Sequence, residues 1–173
     1  MAKDLDGNFE RFVQRYQDRL YGFVMTLIGN HADAEEIAQD SFVSAYRALQ
    51  GYETARRSAL ALRPWLFTIA LNKVRNRSRR AAPAALDDGM PLAVPACEGP
   101  EARAEAREAI AVLRTALENL APRYRMPVVL RHIQGLSYDE IANVLQQPVG
   151  TAKANVHRGL ALLRCSGKVA ALV

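Results

Sequence analysis

The chain has 173 residues, half of them apolar and 24% charged, with a net charge of +5. Its two cysteines, Cys97 and Cys165, lack CxxC spacing, and His31, His132 and His157 lie far apart, so neither a structural metal nor a cofactor is expected. No apolar run approaches the ~18 residues of a membrane span and no leader pattern opens the chain, which predicts a cytoplasmic protein; no nucleophile–base pair, phosphate-binding glycine loop or metal cluster is visible, which argues against an enzyme.

Few aromatics and abundant Ala, Leu, Arg and Glu favour helices over sheets. From Asn8 to Ile28, Phe9, Phe12, Val13, Tyr16, Leu20, Phe23, Val24 and Leu27 keep a helical period and predict a core helix. Gly29-Asn30 ends it. A second helix is predicted from near Asp33, with Asn30 or Asp33 as its cap and Ala34, Ile37, Ala38, Phe42, Ala45 and Leu49 facing inward. Its outer face carries Asp33, Glu36, Gln39, Asp40, Val43 and Arg47, a mainly acidic strip whose ordinary reading is a solvated surface. Residues 51–62 read as a loop or frayed helical segment, with Tyr52, Arg56 and Arg57 available to a polyanion. Pro64 suits the start of the next helix, Trp65 to Arg80, in which Leu66, Ile69, Ala70 and Val74 pack inward. Trp65 is read as core, while Asn72, Arg75, Asn76 and Arg79 share another face. Arg and Asn on one stripe suit phosphates and base edges, and aromatic rings nearby can support unstacked bases.

Pro83, Pro91, Pro95 and Pro100, with Asp87, Asp88 and Gly89 among them, predict an extended and partly stiff linker. Cys97 within it is better read as incidental than as a redox sensor. Helix is expected from Glu101 to about Leu120, then from Tyr124 to His132 with an adjustment at Pro127. Gly135 to Arg164 reads as a helix-turn-helix. Ser137 and Glu140 are spaced for a capping box, and Ile141, Ala142 and Leu145 line one face of a short helix. Gln146-Gln147 supplies the turn and Pro148 the first position of a second helix. There Val149, Ala152, Val156, Leu160 and Leu163 form a core stripe and Lys153, Asn155, His157 and Arg158 project outward. An ordinary helical hairpin with solvated charges would show much of the same local pattern.

The elements also sort by charge. Residues 1–53 carry five basic and nine acidic side chains, residues 54–80 eight basic and none acidic, residues 81–100 three acidic and none basic, and residues 123–173 seven basic and two acidic. Two basic blocks flanking an acidic linker suggest a polyanion held at two places, because Lys and Arg gain from releasing counterions condensed on nucleic acid.

In this order the motifs resemble those of the extracytoplasmic-function sigma factors of bacterial RNA polymerase, the short class that keeps only sigma regions 2 and 4. The resemblance rests on Asp33-Ala-Glu-Glu-Ile-Ala-Gln-Asp-Ser-Phe42 with Ala45-Tyr46, and on Pro64-Trp-Leu-Phe-Thr-Ile-Ala-Leu-Asn72 with its basic tail. Beyond the linker it rests on Leu120-Ala-Pro-Arg-Tyr-Arg125, Gly135-Leu-Ser-Tyr-Asp-Glu-Ile-Ala142, and Pro148-Val-Gly-Thr-Ala-Lys153 with His157-Arg158. It implies an all-α chain of two small helical domains: region 2 at 1–80, a proline-rich linker at 81–104, and region 4 at 105–173. It further implies that Asp33, Glu36, Gln39, Asp40 and Val43 dock core RNA polymerase. Arg57, Asn72, Arg75, Asn76 and Arg79 would bind and open the −10 promoter element, and Lys153, Asn155, His157 and Arg158 would contact the −35 element. A further implied partner is an anti-sigma factor, the cytoplasmic segment of a membrane-associated protein.

The recognition helix departs from the family pattern. Ala152 stands where Val is usual, Ala154 and Asn155 where Ser and Arg are usual, and Gly159 and Leu160 where Ala and Arg are usual. Gly159 inside a helix also costs on the order of 1 kcal/mol relative to Ala and reads as a weak point. A sigma mimic that binds only an anti-sigma protein would tolerate such depletion, but the basic block at 54–80 argues against it. A dimeric helix-turn-helix regulator would leave the acidic strip and the Asn/Arg stripe without a role.

Overall fold

A computed structural model describes residues 5–80 and 111–165, all of whose regular structure is helical. The linker at 81–104, Cys97 and the helix start expected at Glu101 lie outside the described residues. The chain divides into two compact units, Met1–Asp87 and Asp88–Val173.

In the first unit, α1 (Leu5–Ile28), α2 (His31–Gln50), α3 (Thr54–Ala59) and α4 (Leu62–Arg80) follow one another. Gly29 takes a left-handed φ of 77°, which ends α1 and turns the chain. Asn30 is then the N-cap of α2, its side chain accepting from the Asp33 N–H at 3.0 Å. Residues 51–62, left between loop and frayed helix by the sequence, contain the six-residue α3. The core joins Leu20, Phe23, Val24 and Met25 of α1 to Ala34, Ala45 and Leu49 of α2 and to Leu66, Phe67, Ala70 and Leu71 of α4, all nearly or fully buried. Phe23 and Phe67 meet edge to face with ring centroids 5.0 Å apart, a geometry that adds to the ~1.5–3 kcal/mol gained by burying each large apolar side chain. The sequence reading placed Leu66, Ile69, Ala70 and Val74 inward. Four-residue neighbours Phe67 and Leu71 are buried as well and Ile69 is only partly covered, because α4 packs against both α1 and α2 and so needs a wider apolar face.

In the second unit, the helical residues 111–118 (α5) precede α6 (Pro122–Val128), a π turn at Val129–Ile133, α7 (Tyr138–Leu145) and α8 (Val149–Cys165). Pro127 lies inside α6 and has no N–H for the carbonyl four residues earlier; the helix widens in the next turn, where the Gln134 N–H reaches the Val129 carbonyl at 3.0 Å. The expected adjustment at Pro127 takes this form. Both bonds of the Ser137–Glu140 capping box are made, at 2.7 and 3.2 Å. Gln146 is left-handed, with φ 54°, and forms the turn. Pro148 sits one residue before α8, its carbonyl accepting from the Ala152 N–H.

The buried stripe of α8 is Ala152, Val156, Gly159 and Leu163. Val149, expected in the core, is 42% exposed, and Leu160 is only half-buried. Ala152, Val156 and Leu163 are buried as expected, and the buried place expected of Leu160 passes to its neighbour Gly159, where α8 meets α6. A Cβ there would stand 2.6 Å from Val128 Cγ2 and 3.3 Å from the Tyr124 carbonyl oxygen. The glycine that looked like a weak point lets two helices approach closely.

Candidate nucleic-acid interface

On α4, Asn72, Arg75, Asn76 and Arg79 fall within about 100° of arc at the helical repeat, with Arg75 half-buried and the other three exposed. Arg79 lies back along the helix, donating from Nη2 to Asn76 Oδ1 at 2.5 Å and from Nε to the Arg75 carbonyl at 3.4 Å. The stripe therefore presents amide and guanidinium groups side by side, with donors for phosphate and base edges.

The segment before α4 adds an aromatic corner. The Arg56 guanidinium lies 4.0 Å above the Tyr52 ring, and Tyr52 and Trp65 are tilted against each other at 6.2 Å. Trp65, read as core, is only half-buried. Arg57, a −10 candidate, is half-buried and donates through Nε to the Tyr52 carbonyl at 2.8 Å. Arg56, which the −10 set omitted, is the exposed cation at this corner; adjacent identical residues gave no sequence signal to tell the two apart.

The strip on α2 differs most from expectation. Arg77 of α4 forms ion pairs with Asp33 and with Glu36, the latter at 3.0 Å, and Lys73 pairs with Asp40 at 3.5 Å. Gln39 donates to Glu35 at 3.3 Å, while Val43 is 46% exposed. The strip is thus a mixed-charge seam, and two cations of the basic block face α2. Lys73 and Arg77 were missed as partners because only the α2–α4 pairing brings them opposite Asp33, Glu36 and Asp40. Beside the strip, Val13, Tyr21, His31, Glu35, Gln39 and Phe42 are among the residues lining an open groove of about 430 Å³ between α1 and α2, where the Tyr21 hydroxyl and His31 Nδ1 are 2.7 Å apart.

On α8, Lys153, His157 and Arg158 are exposed and Asn155 is half-buried. They do not form a single stripe: two residues apart, Lys153 and Asn155 are separated by about 160° around the axis. The outward arc between them carries Ala154, His157, Arg158 and Ala161 together with Thr151, Leu162, Arg164 and Cys165, all exposed. His132 lies close enough to His157 for their charges to interact; partial burial first, then Arg131 and His157, lower its pKa below the ordinary histidine value. Arg131 is held away from this surface, bonded to the Leu136 carbonyl at 2.8 Å and stacked 4.7 Å over Tyr138. Arg125 of the Leu120–Arg125 motif is structural. Its guanidinium donates to the Glu118 and Leu120 carbonyls at 2.7 and 3.1 Å, closing the end of α5, and burial lowers its pKa against the raising effect of Glu118.

Residues 12–83 match the family described as Sigma-70 region 2, and residues 110–163 match Sigma-70, region 4. The chain is 33% identical over 162 residues to the RNA polymerase sigma-H factor of Pseudomonas aeruginosa, covering 87% of this chain and 81% of that one. To the ECF RNA polymerase sigma factor SigW of Bacillus subtilis it is 31% identical over 169 residues, covering 90% and 87%. It is 33% identical to the ECF RNA polymerase sigma factor SigE of Mycolicibacterium smegmatis over 91% of this chain, but spans 60% of that relative's length. Among solved structures it is similar to CnrH in complex with the cytosolic domain of CnrY, with a TM-score of 0.65, 27% identity, and coverage of 95% of this chain and 89% of that one. It shares its fold with the sigma factor RpoE in complex with the anti-sigma factor NepR from Bartonella quintana, at a TM-score of 0.69 and 24% identity, covering 94% and 98%. With both helical units matched in order and relatives of this kind aligned along most of the chain, the protein belongs to the ECF sigma factors of the sigma-70 family.

Proposed function

We propose that the chain directs core RNA polymerase to promoters by docking through α2, opening the −10 element on α4 and holding the −35 element on α8. The observation that carries this reading is the Asn72–Arg75–Asn76–Arg79 stripe, an acid-free surface suited to a strand being unstacked, in a unit whose α2 presents a separate charged seam. Asp33, Glu36, Gln39, Asp40 and Val43 supply the polymerase contact, with region 2 taken as 1–80, the linker as 81–104 and region 4 as 105–173. At the −10 strand, Arg56 joins Asn72, Arg75, Asn76 and Arg79 in contact, and Arg57 fixes the backbone of Tyr52 beneath it. The protein acts in the cytoplasm and catalyses no reaction of its own.

On α8 the spacing divides the work. A helix about 10–12 Å across nearly fills a major groove about 12 Å wide, so Lys153 and Asn155 on opposite flanks face the two phosphate walls. Arg158, with Ala154 and His157 beside it, faces the base edges. In this arrangement Arg158, rather than Asn155, reads the bases. That CnrH was solved in complex with the cytosolic domain of CnrY supports a protein partner for this chain as well, an anti-sigma factor in this reading.

A sigma mimic is the second reading, favoured by the small side chains Ala154 and Ala161 on the outward face of α8. Run-off transcription with purified core polymerase over a genomic library separates the two. Sigma activity predicts discrete transcripts sharing −35 and −10 elements; no transcript with any core polymerase tested, despite binding of an anti-sigma protein, would establish the mimic.

A further inference from the structure

We propose that Lys73 and Arg77 are built-in competitors of polymerase for the α2 carboxylates and hold its affinity below what those carboxylates alone would give. The inference rests on the reading that α2 docks polymerase. Both cations come from α4 but point away from its DNA stripe. Relative to Asn72, they lie about 100° and 140° around the helix, whereas the stripe is centred near Asn72 itself. Arg77 bridges Asp33 and Glu36, and Lys73 meets Asp40. Three of the charged positions assigned to docking are therefore already paired within the same unit.

The pairs at Glu36 and Asp40 have little to do for the fold, while Asp33, 31% exposed, is the more sheltered partner of Arg77. Glu36 and Asp40 are 61% and 62% exposed, so their pairs with α4 are solvent-screened and contribute little to stability. The position of α4 is set by Leu66, Phe67, Ala70 and Leu71, each 1% exposed or less. What the pairs do change is the field outside α2. A cationic side chain approaching Glu36 or Asp40 meets a carboxylate whose charge is offset and a fixed cation beside it, which weakens attraction and slows steered association. Docking must share or displace the internal partner, and dissociation returns it.

The test is the affinity of purified full-length chain for core polymerase, measured from 50 to 300 mM salt, with thermal unfolding run in parallel. Arg77→Gln removes the competing charge and should bind core roughly two- to fivefold more tightly at low salt, the range expected for exposed ion pairs. The gain should fade as screening increases. Lys73→Gln should behave likewise through a different carboxylate, which guards against one variant misfolding, and Arg77→Lys, which keeps the charge, should match the parent. Equal or weaker binding by both neutral variants, with unfolding unchanged, overturns the competition. The double variant Glu36→Gln/Asp40→Gln tests the underlying reading: it should bind core more weakly, and unchanged affinity there removes α2 as the docking surface.

Discussion

At the scale of single residues, Gly159 shows how a local rule and a tertiary contact can point in opposite directions. Helix propensity alone favours Gly159→Ala by about 1 kcal/mol. The added Cβ would, however, fall 2.6 Å from Val128 Cγ2 and close to the Tyr124 backbone, and overpacking of this sort costs about 1–3 kcal/mol. Gly159→Ala should therefore destabilise the second unit, with a lower unfolding midpoint in denaturant; a midpoint equal to or above the parent's would show that α6 yields without cost. His132 offers a pH test. Its folded pKa is lowered by burial, Arg131 and His157, so between that value and the ordinary 6.5 the unfolded chain binds the extra proton. Stability from this group is present above pH 6.5 and is lost as pH falls through that window. In an NMR titration His157→Ala should raise the His132 pKa, and an unmoved His132 curve would deny the coupling. None of these couplings is visible in sequence, where Gly159, Val128 and Tyr124, or His132 and His157, are only letters tens of positions apart. Ser137 and Glu140 were legible because a capping box is complete within four residues.

At the scale of elements, the inward faces of α2 and α4 were legible to different degrees, although each helix packs on two others. The inward list for α2 was fully recovered, since Ala34, Ile37, Ala38, Phe42, Ala45 and Leu49 are all buried. For α4 the list was too narrow: Phe67 and Leu71 are buried beside Leu66, Ala70 and Val74, and Ile69 is only partly covered. The polar side of α4 kept its predicted composition, with no acid among its residues. If these groups hold the unstacked strand, as proposed, replacing Arg75 and Arg79, or Asn72 and Asn76, by Ala should leave duplex binding by holoenzyme largely intact while impairing opening. Permanganate reactivity of −10 thymines reports this directly; normal reactivity in both double variants would place the strand on another surface. Folding should be nearly unaffected, as these side chains contribute little to the core.

At the scale of the whole molecule, the two basic blocks recognised in the sequence fall one in each unit, and they should respond differently to salt. Taking one cation off a duplex phosphate lowers the slope of log K against log salt by about 0.9. Lys153→Ala should therefore weaken holoenzyme binding to all −35 sequences alike and reduce that slope by about one. Asn155→Ala, on the opposite flank and uncharged, should also weaken all sequences but leave the slope nearly unchanged. Arg158→Ala is the informative variant: if Arg158 faces the base edges, as proposed, the change should cost about 1–3 kcal/mol on the preferred sequence and relax the preference at one position. Because α4 lies in the other unit, none of these changes should alter the pattern of permanganate-reactive −10 bases once the complex is saturated. Footprinting at several salt concentrations on a randomised −35 library distinguishes the arrangements. A loss of base preference with Asn155→Ala, and its retention with Arg158→Ala, would mean that α8 enters the groove rotated by roughly 60° from the orientation its buried face implies, with Asn155 as the base reader.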